Sequence, residues 1–224
     1  MKKIILFDLD GTLTDPMVGI TKSVSHALKA YGIIEEDLEK LCPFIGPPLT
    51  DSFKEFYGFS EEDAKAAIPI FHEYFVGRGM YENKVYEGIE EMLGSLRDAG
   101  YTLAVATSKP EPFAIEILRH FSLLSYFDLV GGADMEEVRV KKGDVITYTL
   151  ERLETINGSL DTLKASGNII MVGDRKHDIC GAKEAGLPSI GVLYGYGSRA
   201  ELTEAGADVI AATVKDLQEI LLQD

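Results

Sequence analysis

The sequence predicts an α/β protein: a Rossmann-like, doubly wound parallel sheet that carries an inserted all-helical subdomain. Three features of the chain predict it. Short apolar, β-branched runs alternate with stretches of helical period through most of the 224 residues. Those runs are continuously apolar, as strands are when crossover helices cover both faces of a parallel sheet. One block near the start breaks the rhythm, with helical period and no convincing strand.

In chain order the strand candidates are Lys3–Leu9, Tyr101–Thr107, Leu129–Gly131, Asn168–Val172, Ser189–Leu193 and Asp208–Ile210. Between them apolar residues recur at helical spacing: Ile89, Met92, Leu93 and Leu96; Phe113, Ile117, Leu118 and Phe121; Val145, Tyr148, Thr149 and Leu153. The helical block runs from Asp15 to Asn83. It holds the periodic set Ile20, Val24, Ala27, Leu28 and Tyr31, and a capping box is expected at Ser60–Asp63. Such a block is too long for a simple crossover. The expected organisation is therefore a core of residues 1–14 and 84–224 with a helical insert of residues 15–83, hinged near Asp15 and Asn83. The Gly-containing stretch Thr155–Lys164 is expected to be a surface loop.

Size and charge narrow the function. A chain of this mass buries roughly 70% of its unfolded surface, enough for a core without staples. At 46% hydrophobic and 26% charged, the composition is that of an ordinary globular protein. The 22 basic and 37 acidic residues give a net charge of −15, and the insert (six basic, twelve acidic) is as acidic in character as the rest. Such a field repels nucleic acid and anionic membranes, but it permits a small anion in a local site. Cys42 and Cys180 lack disulfide-framework or zinc-ligand spacing, which fits a reducing compartment. The start, Met1-Lys2-Lys3 followed by Ile4–Phe7, imitates a signal peptide, but Asp8 ends the apolar run after four residues. A cytoplasmic location is expected.

The chemistry concentrates at strand ends. Phe7-Asp8-Leu9-Asp10-Gly11-Thr12-Leu13-Thr14-Asp15 lies where the first strand stops. Residues two apart on an extended chain point the same way, so Asp8 and Asp10 present two carboxylates together. Carboxyl ends of strands are where open α/β sheets bind ligands. Val172-Gly173-Asp174-Arg175-Lys176-His177-Asp178 repeats the pattern at another strand end and opens a helix. Two buried acidic strand ends repel, and a shared proton or a hard cation relieves them. Oxygen donors without a Cys or His pattern favour Mg²⁺. His177 and Cys180 are expected to face away from such a metal. Thr107-Ser108-Lys109 and the basic run Arg139-Val140-Lys141-Lys142-Gly143 add a hydroxyl and an ammonium, completing an anion cradle for a phosphoryl group.

In this order the motifs resemble the haloacid dehalogenase (HAD) superfamily, and within it the phosphatases with a helical cap after the first motif. Phosphoglycolate phosphatases and nucleotidases are the nearest comparison, and the likeness spans essentially the whole chain. It implies a phosphatase with Asp8 as the nucleophile that forms an aspartyl-phosphate and Asp10 as general acid/base. It implies that Thr107, with Ser108 as the milder alternative, hydrogen-bonds the phosphoryl oxygens, and that a lysine near 142 pairs their charge. Asp174, with Asp8 and the Asp10 backbone carbonyl, would hold Mg²⁺, and Asp178 would support that shell. In the family the motif lysine is commonly followed by proline, whereas here Lys141 and Lys142 are adjacent and Gly143 follows. Lys142 is favoured because it directly precedes the helix expected near Asp144; Lys141 stays open.

Rival functions are weighed on the same residues. Asp10 argues against a dehalogenase, which needs no leaving-group acid, and neither Lys22 nor Lys54 stands out as the Schiff-base lysine of a phosphonatase. A β-phosphoglucomutase-like phosphotransferase keeps both aspartates and is the enzymatic rival. A non-catalytic phospho-aspartate regulatory module is the rival of another class. Substrate choice falls to the cap. Arg78 is its candidate for a substrate carboxylate or second phosphate, and Phe44-Ile45-Gly46-Pro47-Pro48-Leu49 is by resemblance a turn over the site. The expected partner is a small phosphorylated metabolite; oligomeric state has no signature in the sequence.

Overall fold

Four consecutive buried apolar residues, Ile4–Phe7, make the first strand, β1. In the computed structural model, which describes residues 3–135 and 138–223, β2 (Thr14–Asp15), α1 (Met17–Ala30), a 3-10 helix (Leu38–Phe44), α2 (Leu49–Tyr57) and α3 (Glu61–Phe75) follow. Next come a 3-10 turn (Gly79–Tyr81), β3 (Lys84–Val85), α4 (Ile89–Asp98), β4 (Thr102–Pro110), α5 (Glu111–His120) and β5 (Leu129–Ala133). The chain ends in α6 (Lys142–Asn157), α7 (Asp161–Ala165), β6 (Ile169–Gly173), α8 (Lys176–Glu184), β7 (Ser189–Val192), α9 (Arg199–Ala205), β8 (Val209–Ala211) and α10 (Val214–Leu222). Met1 and Lys2, the charged start noted above, lie outside the described residues. No helix among the described residues is long and apolar enough to cross a membrane.

Two compact units divide the chain: Met1–Thr14 with Val85–Asp224, and Asp15–Lys84. In the first, six strands form a parallel sheet in the order β5-β4-β1-β6-β7-β8. Ile4 lies opposite both Thr102 and Ile169, and Phe7 opposite both Val105 and Val172. The chain leaves β1 toward β4 and β5, then crosses back to β6, β7 and β8 on the other side. The winding direction therefore reverses at β1. The carboxyl ends of β4, β1 and β6 border the crevice that such a reversal opens.

The continuous apolar strands follow from this layering. Side chains alternate along a strand; Ile4 and Leu6 pack in one core cluster with Val145, Ile146 and Leu153 of α6 and Ala182 of α8. Phe7 belongs to the opposite face and meets Phe127 edge-on, ring centroids 6.3 Å apart. All six strands lie where the sequence places them. Thr155–Lys164 differs from expectation: α6 runs on to Asn157, α7 starts at Asp161, and only three residues connect them. Gly158, at φ 80°, ends α6, and Leu160 is buried against the same cluster as Leu153. Leu163 packs against that cluster as well, and the two leucines draw the segment onto the core.

The Asp15–Lys84 unit is helical and built on aromatic contacts. Phe44 meets Phe53 edge-on at 5.0 Å, Phe53 stacks on Phe59 at 5.4 Å, and Phe71 stacks on Phe75 at 5.3 Å. Ser60 caps α3, accepting the Asp63 N–H at 3.0 Å, and its hydroxyl donates to the Asp63 carboxylate at 2.7 Å. The segments β2 and β3 pair as a separate two-stranded ribbon.

Candidate active site

Each sheet strand at the reversal delivers one element of the site. Asp8 follows β1 and is fixed by its N–H, which donates to the Val172 carbonyl at 2.9 Å. Asp174 follows β6, and Asp178 sits in the first turn of α8, where its Oδ2 accepts the Arg175 N–H at 2.9 Å. One carboxylate oxygen from each of Asp8, Asp174 and Asp178 lies within 4.8 Å of the others, and all three residues are buried. The chain turns away sharply after Asp10: Gly11 has φ +87°, and a Cβ there would collide with the Asp174 carboxylate.

Lys142, the first residue of α6, supplies the cluster's ammonium. Its Nζ donates to Asp8 Oδ1 at 2.7 Å and to the Ala106 carbonyl at 3.0 Å, and lies 2.9 Å from Asp178 Oδ1. Lys141, the N-cap residue of the same helix, is exposed. The geometry thus gathers Lys142, and not Lys141, with the carboxylates. Burial opposes the Lys142 charge, but Asp178 and Asp8 outweigh it and raise its pKa. Burial pushes Asp174 well above the usual carboxylate range, with the charges of Asp178 and Asp8 adding to it. Burial likewise pushes Asp178 up to about 6 against the opposing pull of Lys142.

Asp10 is paired separately. Its Oδ2 lies 2.6 Å from Lys109 Nζ, with the two side chains only 10% and 7% exposed. Its other oxygen, Oδ1, is buried with no hydrogen-bond partner among the described residues. Burial raises the Asp10 pKa, and Lys109 acts against that rise. Thr107 is buried, and its Oγ1 accepts the Lys109 N–H at 3.2 Å; Ser108 is half-buried. His177 and Cys180 stay outside the carboxylate cluster: the imidazole is half-buried, its pKa lowered by burial and by Arg175 and Lys176, and Cys180 is exposed. Arg78 belongs to the Asp15–Lys84 unit, exposed in the turn after α3. Phe44 and Ile45 of the same unit are buried.

Lys109, although part of the quoted triplet Thr107-Ser108-Lys109, has no assigned role in the sequence reading. Thr12 is quoted in the first motif but likewise has no role there, and the turn Tyr194-Gly195-Tyr196-Gly197 is absent from it altogether. Thr12 is buried and its Oγ1 donates to Asp174 Oδ1 at 3.4 Å. The Tyr196 N–H donates to Asp174 Oδ2 at 2.7 Å, and a Cβ on Gly195 or Gly197 would run into Asp174, so the turn lies directly against that residue. The Tyr194 hydroxyl donates to the Thr12 carbonyl at 3.1 Å, and its ring meets Tyr86 edge-on at 5.1 Å. The available signal was a Gly/Tyr-rich turn directly after a strand of the same sheet.

The donor set fits a hard divalent cation. Four buried aspartates face two ammoniums, Lys142 and Lys109, which leaves two negative charges. All the cluster donors are carboxylate oxygens, the choice of Mg²⁺ over softer metals.

The sequence profile of the haloacid dehalogenase-like hydrolases matches residues 5–192. A 5′-nucleotidase of Pseudomonas aeruginosa is 44% identical over 97% of this chain and 94% of its own. The tyrosine-protein kinase PtkA of Mycobacterium tuberculosis is 36% identical over 98% of this chain and 72% of its own. A phosphoglycolate phosphatase of Vibrio parahaemolyticus is 29% identical over 98% and 96% respectively. Among solved structures, a predicted phosphatase from Clostridium acetobutylicum aligns with a TM-score of 0.91 at 48% identity, covering 99% of both chains. With the profile spanning most of its length, the chain belongs to the haloacid dehalogenase-like hydrolase family.

Proposed function

We propose that the chain is a Mg²⁺-dependent phosphatase of a small phosphometabolite, phosphoglycolate-like or a nucleoside monophosphate, acting through phosphate carried on Asp8. The observation that carries this reading is the division of two neighbouring aspartates between two lysines: Asp8 on Lys142 and Asp10 on Lys109. It supplies one carboxylate held beside a buried cation and a second with a free oxygen. In this reading residues 1–14 and 84–224 are the catalytic core and residues 15–83 the cap that selects the substrate. The protein acts in the cytoplasm, consistent with its free cysteines Cys42 and Cys180.

Asp8, Asp174 and Asp178, with the Asp10 carbonyl, would hold the metal, which when bound neutralises charge on the phosphoryl oxygens. The remaining work belongs to the chain. An Asp8 oxygen bonds to phosphorus while the ester P–O bond breaks, and the leaving oxygen takes a proton from Asp10. Lys142 offsets the charge that gathers on the transferred group, and Thr107 hydrogen-bonds it, with Ser108 beside it. A water then gives its proton to Asp10, its oxygen bonds to phosphorus, and the bond to Asp8 breaks. Phosphate leaves and both aspartates return to their starting state.

The kinase name of one relative favours a second reading, in which the group on Asp8 passes to an acceptor hydroxyl instead of water. One experiment separates them. Phosphate release is measured from phosphoglycolate, pyrophosphate, nucleoside monophosphates and sugar phosphates, with Mg²⁺ and with EDTA. Release that needs Mg²⁺ is expected; no release from any member would overturn the proposal, and a phosphorylated acceptor without free phosphate would move it to transfer.

A further inference from the structure

We infer that Lys109 is a positioning residue for Asp10: it takes one carboxylate oxygen and so commits the other to the proton transfers. The inference rests on the proposed function above. Lys109 and Asp10 come from different strand ends, β4 and the turn after β1, so their contact links the carboxyl ends of two neighbouring strands. At 2.6 Å and nearly buried, the pair is held far more firmly than a surface ion pair. Lys109 is itself anchored, because its N–H donates to Thr107 Oγ1 at 3.2 Å.

The second observation is the oxygen left over. Asp10 Oδ1 is buried without a hydrogen-bond partner among the described residues. An orphaned buried acceptor costs on the order of 1–3 kcal/mol, so a site that keeps one has a partner arriving from outside. In the proposed reaction that partner is the leaving oxygen, which takes its proton from Oδ1 as its bond to phosphorus breaks. The attacking water follows, returning a proton to Oδ1 as its oxygen bonds to phosphorus. Both transfers use the same atom because Lys109 occupies the other. Lys142 cannot substitute, since its ammonium is already shared by Asp8, Asp178 and the Ala106 carbonyl.

A lysine that only held substrate phosphate would matter equally for every ester, whereas one that aims the acid matters most for poor leaving groups. Lys109→Met and Lys109→Gln are therefore assayed with Mg²⁺ on aryl phosphates whose leaving phenols span pKa values of about 7 to about 10. The readout is kcat/KM, which covers steps only up to departure of the phenol. The loss is expected to grow from under about 3-fold for p-nitrophenyl phosphate to about 30-fold or more for phenyl phosphate, within the range general acids supply. Lys109→Arg is expected to recover much of it. On an Asp10→Asn background, Lys109→Met is expected to cost less than about 3-fold on every ester, because the acid it aims is gone. Equal losses across the series, or a loss that persists with Asp10→Asn, would overturn the inference while leaving the phosphatase intact. Wild-type protein that releases no phosphate from any of these esters would overturn the proposed function and the inference with it.

Discussion

The two units of this chain bury polar groups in opposite ways. In the Asp15–Lys84 unit the buried polar side chains are hydroxyls, and three of them bond to a carbonyl of their own helix. Thr21 donates to the Met17 carbonyl, Ser23 to that of Gly19 and Ser52 to that of Pro48. Its exposed ion pairs, such as Lys54–Glu61 and Lys65–Glu61, are worth little. In the sheet unit the buried charged residues are Asp8, Asp10, Lys142, Asp174 and Asp178, gathered from distant points of the chain. Local satisfaction stabilises a shape; long-range charge clustering opposes stability and is kept for chemistry. The difference implies that substitutions of the buried charges in the sheet unit trade activity against stability, while those of exposed charges in the helical unit leave stability nearly unchanged.

The largest expected effect tests that trade directly. Asp8→Asn removes the proposed nucleophile, and phosphate release should fall by roughly 10⁴-fold or more. It also removes one of the like charges raising Asp174 and Asp178, so without metal the variant should melt at or above the wild-type temperature. A lower melting point would break the comparison. Lys142→Met runs the other way. It strips the cation from Asp8 and Asp178, and a buried charge left unpaired costs about 3–5 kcal/mol. The variant should melt well below wild type in EDTA and recover part of the difference in Mg²⁺.

Acidity gives the next effect. Asp178 sits at about 6 in the folded, metal-free protein against 3.8 ordinarily, so the folded state binds its proton more tightly than the unfolded state does. That contribution to stability is fully present below 3.8 and is lost as pH rises through about 6. Asp174 is shifted in the same direction. On the order of 3 kcal/mol is at stake, several degrees of melting temperature for a chain of this size. Calorimetry should find that Mg²⁺ raises the melting temperature more at pH 7.5 than at pH 5. An equal rise at both values would mean that the carboxylates do not hold the ion.

What the sequence discloses divides along the same line. Asp8, Asp10 and Asp174 were legible because strand ends and period-two spacing place carboxylates without any knowledge of distant contacts, whereas Asp178, in the first turn of α8, took its role from the resemblance. Lys142 could be favoured over Lys141 only through the expected helix start, and the contacts to Asp8 and Ala106 supply the rest. Lys109 was hidden because its pairing with Asp10 depends on the register of β4 against β1, in which Phe7 meets Val105. The turn Tyr194–Gly197 was hidden for a related reason. Its glycines look like ordinary turn residues until Asp174 is found against them. Leu160 and Leu163 misled by their polar neighbours, since two leucines one turn apart are too few to stand out as a helical period.

The smallest effect probes the helical unit. Arg78 is exposed, so Arg78→Ala should shift the melting temperature by no more than about a degree, as surface substitutions do. Its kcat on p-nitrophenyl phosphate, which carries no second anionic group, should stay within about 2-fold of wild type. If Arg78 meets a substrate carboxylate, the KM for phosphoglycolate should rise by about 10-fold, the loss of one charge-assisted hydrogen bond. A KM rise confined to doubly anionic esters would assign selection to the helical unit and chemistry to the sheet unit. A fall in kcat across all esters would place Arg78 among the groups that act on the transferred phosphoryl group, and the division between the two units would then not hold.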